Sequence, residues 1–283
     1  MISTEWGTPE AFSKGFNPAH VSKNMYGTSI HFWDWKEHTL IKTTRFDPSK
    51  VIMPLEIRFC HDPKSVHAVC GAALTSNIIH IWKDEQSEEW LSDPDWIQVP
   101  PVEMSNWALP SMPGLVTDVL LSMDDKYCYF SNWLHGDIRQ YDISDPARPR
   151  LNSQCFVGGS LREDSGFKVK DEKKNPPPVI PLVRGKRLEG GPQMLQLSLD
   201  GTRLYCTNSL YSAFDKQFYP DLVKNGGQMF RIDVDLQNGG KMKLNTDFLV
   251  DFGECKGGPA RPHEMRYPGG DCTSDIFLVQ SEE

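Results

Sequence analysis

Leu121-Ser122-Met123-Asp124-Asp125-Lys126-Tyr127-Cys128-Tyr129-Phe130-Ser131-Asn132 recurs 76 residues later as Leu197-Ser198-Leu199-Asp200-Gly201-Thr202-Arg203-Leu204-Tyr205-Cys206-Thr207-Asn208. Leu, Ser, Asp, Tyr and Asn are shared, five of the twelve positions. In both copies an apolar run ends, a Ser/Asp/Gly-type turn reverses the chain, and a β-branched and aromatic run follows. That pattern predicts a β-hairpin. A second repeat lies outside the first: Glu56-Ile57-Arg58-Phe59 resembles Glu264-Met265-Arg266-Tyr267, with Pro54 or Pro262 just ahead. Pro113 and Pro192 stand before two further predicted strands, near residues 116–121 and 194–199. Strand starts at Glu56, Thr117, Gln193 and Glu264 are spaced by 61, 76 and 71 residues. After each hairpin comes another strand ending on an aromatic or Asp step, at residues 78–82, 138–143 and 229–234. Ile30-His31-Phe32-Trp33-Asp34-Trp35 reads as the same strand of an earlier unit.

Meanders of about four strands, repeated along a chain, arrange radially as a β-propeller. The expected fold is therefore all-β, one β-propeller domain over residues 1–283 with about four blades. The spacing exceeds the usual ~40–50 residues per blade, so insertions are expected. The clearest, at about residues 161–188, holds Asp171-Glu172-Lys173-Lys174 and Pro176-Pro177-Pro178 and reads as an exposed, mobile loop. Three units are complete and each end carries a partial one. Either the ends close into a small ring, or the chain is the C-terminal part of a larger, about seven-bladed propeller. Met1 falling in mid-blade favours the second.

Composition narrows the function classes. The 283 residues are 39% hydrophobic and carry a net charge of −8. An overall basic field for nucleic acid is absent, as is a polybasic membrane anchor. No apolar run reaches the ~18 residues of a spanning helix. The seven cysteines are widely spaced, without C-x-x-C, and no signal region follows Met1. This reads as a cytosolic protein with reduced thiols, its cysteines serving as small buried apolar residues.

Nucleotide-binding, serine-hydrolase and zinc-protease signatures are missing. His263-Glu264 opens like the last of these, but Tyr267 stands where a second His is needed. No catalytic residue is assigned. In a propeller, the loop entering the innermost strand and the loop joining the second and third strands share one face. His263 precedes an innermost strand, and His135, in Asn132-Trp133-Leu134-His135-Gly136-Asp137, lies in a second-to-third-strand loop. Two imidazoles on one rim could share a borderline metal such as copper, with Asp137 or Glu264 orienting a ring. The alternative is a loop histidine holding a turn. His61 falls at the opposite face, and His20, His31, His38, His67 and His80 read as surface or strand residues. Glu56/Arg58 and Glu264/Arg266 line a polar channel or form ordinary ion pairs. Trp6, Trp33, Trp35, Trp82 and Trp133 read as packing between blades.

Ser131-Asn132-Trp133-Leu134-His135-Gly136-Asp137-Ile138-Arg139-Gln140-Tyr141-Asp142-Ile143-Ser144-Asp145-Pro146 resembles the selenium-binding protein family, whose members act as methanethiol oxidase. So do Gly190-Gly191-Pro192-Gln193-Met194, Asp215-Lys216-Gln217-Phe218-Tyr219-Pro220-Asp221-Leu222 and Arg266-Tyr267-Pro268-Gly269-Gly270-Asp271-Cys272. The similarity runs through essentially the whole chain. It implies a β-propeller that oxidises methanethiol with oxygen and water to formaldehyde, hydrogen sulfide and hydrogen peroxide. It also implies copper as cofactor, with His135 and His263 at family histidine positions. The implied partners are a small-molecule thiol and oxygen; the acidic balance noted above leaves no nucleic acid among the expected partners. The implied locations are cytosol and nucleus, with a peripheral membrane fraction and a role in intra-Golgi transport. Family members are longer, and this chain resembles their C-terminal part. The family histidine ahead of Met-Ile-Ser-Thr-Glu-Trp and the N-terminal cysteines associated with selenium have no counterpart here. None of the seven cysteines inherits that role, and impaired activity is expected. The alternative function is a non-catalytic propeller that binds a protein partner across its rim.

Overall fold

The computed structural model describes residues 1–266. Cys272, the Tyr267-to-Cys272 part of the last family-like motif and the apolar run at residues 276–279 lie outside the described residues. The first sheet holds β1 (Ile2–Thr4), β2 (Ser29–Asp34) and β3 (Thr39–Arg45). The second holds β4 (Pro54–Phe59), β5 (His67–Ala72), β6 (Asn77–Lys83) and β7 (Trp90–Gln98). A small hairpin, β8 (Val102–Glu103) and β9 (Ser111–Met112), leads to the third sheet. That sheet is β10 (Val116–Leu121), β11 (Tyr127–Asn132), β12 (Asp137–Asp142) and β13 (Arg150–Phe156). The fourth is β14 (Leu195–Leu197), β15 (Arg203–Thr207), β16 (Gln228–Asp235) and β17 (Lys241–Asp251). All four are antiparallel meanders in chain order. Helices α1 (Pro9–Ser13) and α2 (Pro18–Ser22) separate β1 from β2, as α3 (Ser212–Phe218) and α4 (Pro220–Asn225) separate β15 from β16. In the first sheet β1, β2 and β3 therefore match the second, third and fourth strands of the others. Residues 30–34 take the expected third-strand place, and Trp35 falls in the turn after it.

The shared Ser and Asp of the repeat build the same turn twice. Ser122 Oγ donates to Asp124 Oδ1 (2.7 Å) and accepts from the Tyr127 amide (3.0 Å). Ser198 Oγ donates to Asp200 Oδ1 and accepts from the Arg203 amide (3.1 Å). The tight reversal places Asp125 (φ 55°) and Gly201 (φ 71°) in the left-handed region.

The cores lie between sheets, as a radial arrangement requires. Ile30 and Phe32 meet Ala68, Ile79 and Ile81 between the first and second sheets. Val69 and Ile78 meet Val119 and Phe130 between the second and third. Leu120, Tyr129 and Ile138 meet Leu195, Leu204 and Phe230 between the third and fourth. Each such side chain contributes about 1.5–3 kcal/mol when fully buried. Strand β10 is buried along its whole length, whereas β16 alternates Phe230, Ile232 and Val234 inward with Arg231 and Asp233 outward. A fourth core lies under the helices, around Ala11, Tyr26, Trp133, Leu210 and Phe214.

The insertion at residues 161–188 departs from the expected solvated loop. Residues 171–174 are exposed, but Leu161 and Val169 join the core under the helices, and Ile180, Val183 and Leu188 join the core of the third and fourth sheets. Its scattered apolar side chains anchor it at intervals, although its net composition is polar. Four cysteines (Cys70, Cys128, Cys155, Cys206) are buried as expected, Cys60 is half-buried, and Cys255 is exposed.

Candidate functional site: an aromatic-roofed cavity at the inner ends of the blades

Strands β1, β4, β10 and β14 lie side by side in that order across the four sheets. At one end of this row is a cavity of about 280 Å³. Its walls include Thr4 of β1, Glu56 of β4, Thr117 of β10, Gln193 ahead of β14, and His263. Loops joining second and third strands also reach it, through Ala73 and Leu74 and through Leu210 and Tyr211. The two loop types share a face, as the propeller geometry predicts.

Aromatic side chains from the two helical insertions cover the cavity. Trp6 stacks on Phe12 (centroids 4.6 Å, 21°) and lies 5.5 Å from Tyr211. Gln217 of α3 clasps the backbone of Phe16: its Oε1 accepts from the Phe16 amide and its Nε2 donates to the Phe16 carbonyl, both at 2.9 Å. Asp215 sets the conformation of the β15–α3 loop by accepting from Ser209 Oγ (2.6 Å) and the Leu210 amide (3.0 Å). Burial pushes the Asp215 carboxyl up, against the pull of those bonds and of Arg261. This loop carries Tyr211, whose ring is 5.2 Å from that of His263.

His263 is half-buried. Its Nδ1–H donates to the Ser209 carbonyl (3.1 Å), so Nε2 is the unprotonated nitrogen of the neutral ring. Glu56 pairs with Arg58 (3.0 Å), and Arg58 also approaches Asp118 (3.7 Å). Asp118 is fully buried and accepts from the Leu195 amide (2.7 Å). Burial pushes its carboxyl up to about 7, while Arg58 pulls it down. Of the two expected pairs, the carboxylates Glu56 and Glu264 line the cavity, each ion-paired with its arginine, Arg58 or Arg266.

The other expected metal ligand lies elsewhere. His135 is 2% exposed, and its Nε2–H donates to the Met112 carbonyl (3.0 Å). It lines a separate cavity with Arg139, Gln154 and the Pro176-Pro177-Pro178 segment. His135 and His263 therefore do not converge, and among the described residues no three His, Cys, Asp or Glu side chains cluster to share a metal. The residues present do not fit a copper ion held between these two histidines. Asp137 is paired with Arg139 (2.8 Å), not with a histidine ring. His61, as expected, is away from this cavity; its Nδ1 bonds Asp125 (2.9 Å) across two blades. His67 and His80 are stacked (5.0 Å) rather than merely strand residues.

Sequence reasoning missed the roof. Trp6 and Tyr211 line the cavity, whereas Trp133 is core and Trp35 is 66% exposed. Nothing local marks Trp6 and Tyr211 as partners, because the contact joins segments some 200 residues apart. Among the described residues no helix is long and apolar enough to cross a membrane.

Comparison with known proteins agrees with this fold. The family model described as 56kDa selenium binding protein (SBP56) matches residues 1–278. The chain is 54% identical over 281 residues to methanethiol oxidase of Rattus norvegicus, covering 98% of this chain and 58% of the relative. It is 54% identical to selenium-binding protein 2 of Mus musculus and 53% identical to methanethiol oxidase of Homo sapiens, with the same coverages. The chain thus spans 58% of the length of these curated relatives. The crystal structure of a hypothetical selenium-binding protein from Sulfolobus tokodaii superposes with TM-score 0.82 at 32% identity, over 99% of this chain and 57% of that one. The propeller, the family motifs and these relatives lead to one conclusion: the chain belongs to the 56kDa selenium binding protein family.

Proposed function

We propose that this chain forms the substrate-holding part of a methanethiol oxidase. The observation that carries the reading is the cavity at the inner strand ends, where an aromatic roof faces His263 and Glu56. Relatives named methanethiol oxidase match 98% of the chain. The reaction takes methanethiol, oxygen and water to formaldehyde, hydrogen sulfide and hydrogen peroxide, one of each. In this reading the roof holds the methyl group and keeps bulk water from the reacting sulfur. His263 Nε2 and the Glu56 carboxylate supply acceptors beside it. Copper enters through the family resemblance alone. Cytosolic and nuclear location, a peripheral membrane fraction and a role in intra-Golgi transport belong to the proposal on the same ground.

The test is methanethiol-dependent release of hydrogen sulfide, peroxide and formaldehyde by the purified chain, with copper content measured on the same sample. Equimolar products are expected. A His263→Ala variant should lose about tenfold or more in kcat/KM, since a misplaced reacting group costs about that or more. A folded, copper-supplied chain that releases no peroxide from methanethiol overturns the reading for this polypeptide.

A further inference from the structure

Gln193 is 2% exposed and lines the central cavity. Its backbone is tied on both sides. The amide donates to the Thr207 carbonyl (2.8 Å), and the carbonyl accepts from Ser131 Oγ (2.7 Å). Its side-chain oxygen, Oε1, is buried and has no hydrogen-bond partner among the described residues. Native proteins satisfy nearly all such atoms, and an orphan at a cavity wall calls for a donor from a bound molecule. The neighbouring hydroxyl does not serve, because Thr117 Oγ1 is engaged with Ser131 and with backbone carbonyls.

The remaining wall is mixed, with Glu56, His263 and Glu264 on the polar side and a large apolar surface on the other. Trp6, Phe16, Tyr211 and Phe214 present aromatic surface, and Met53 and Leu115 add aliphatic surface. The cavity thus offers apolar contact and, beside the acceptors of His263, Glu56 and Glu264, one buried neutral acceptor that has no partner of its own among the described residues. Its complement is a small molecule that joins a short alkyl group to a donor head.

We infer that Gln193 Oε1 accepts the S–H of a short alkyl thiol whose alkyl group lies under the aromatic roof. The choice of a thiol rests on the methanethiol oxidase reading above. No bond is made or broken in this step. The carboxamide orients the sulfur, and the volume of about 280 Å³ leaves room for the oxygen and water the reaction consumes. Gln193 is a binding residue in this scheme.

Ethanethiol and dimethyl sulfide test it, because they are isomers and only the first has an S–H. Their binding to the intact chain is compared by saturation-transfer NMR without oxygen, so that nothing turns over. Ethanethiol should bind about threefold more tightly, the gain expected of a weak S–H donor. Gln193→Leu should erase that preference. Trp6→Ala should weaken both isomers while keeping their ratio. Equal binding of the isomers by the unaltered protein overturns the inference, whether or not the variants fold. So does a Gln193→Leu chain that keeps the preference. A thiol preference in a chain that releases no oxidation products supports the pocket assignment and counts only against the oxidase reading.

Discussion

Replacing Asp125 with Ala should loosen the second blade from the third. Asp125 sits at the tip of the β10–β11 turn, and its carboxylate reaches the loop after β4. Oδ1 accepts from the His61 amide (2.8 Å) and bonds His61 Nδ1 (2.9 Å), and Oδ2 accepts from the Asp62 amide (3.0 Å). His61 is 7% exposed, so its groups find little water once the carboxylate is gone. A hydrogen bond to a charged group contributes about 1.5–3 kcal/mol, and three bonds to one carboxylate share rather than sum that value. The expected loss is about 2–4 kcal/mol for Asp125→Ala and about 1–2 kcal/mol for Asp125→Asn, which keeps an acceptor and tolerates the positive φ. The pH dependence has a definite sign. Burial pushes the Asp125 carboxyl up, but His61 and the two amides outweigh it and hold it below the ordinary value of 3.8. The unfolded chain therefore takes up this proton first. The clamp contributes fully above the unfolded value and is lost as pH falls through the lower folded one. The assay is the urea midpoint of native and Asp125→Ala chains at pH 7 and at about pH 3.5. A loss under about 0.5 kcal/mol at pH 7, the scale of an ordinary surface change, refutes the clamp. A gap that widens on acidification refutes its sign.

Other expectations follow from the same geometry. Gly136 has φ 83°, and a Cβ there would lie 1.9 Å from the Gly158 carbonyl oxygen, so Gly136→Ala should lower the melting temperature sharply. The left-handed backbone alone costs about 1–2 kcal/mol; an unchanged melting temperature counts against the described loop. His80 stacks on Trp82 and on Trp96, each at 4.9 Å, and burial pushes its imidazole down to about 4. The folded state keeps it neutral, so stability should fall as pH drops from about 6.5, the ordinary histidine value. His80→Phe should keep the aromatic contacts and reduce that slope, read from urea midpoints at pH 7 and about pH 4.5, while His67, also pushed down by burial, keeps the remainder. Cys255 is exposed while Cys70, Cys128, Cys155 and Cys206 are buried with thiols pushed up by desolvation. A thiol reagent should lose one fast equivalent in Cys255→Ser and leave those four slow until the chain unfolds.

The sequence alone determined the blade pattern. The paired hairpins at Leu121-to-Asn132 and Leu197-to-Asn208 are written in local terms: apolar alternation, a Ser–Asp turn and a β-branched return strand. Each is satisfied within a dozen residues, so neighbours in the chain suffice to reveal it. The rim position of His263 was legible for the same reason, since strand order fixes which loops share a face. The direction of a side chain within such a loop is a different matter. His135 lies in the expected kind of loop, but its Nε2–H is taken by the Met112 carbonyl from the preceding hairpin, and the neighbouring Trp133 is buried in the core under the helices. The insertion at residues 161–188 reads as solvated because its charges outnumber its anchors, although Val183 and Leu188 are almost wholly buried. The roof was least visible of all, because Phe16 and Gln217 are 201 residues apart. Only tertiary structure decided these three features. Each depends on which distant backbone groups and apolar surfaces meet once the sheets have packed, and no short-range pattern encodes that meeting.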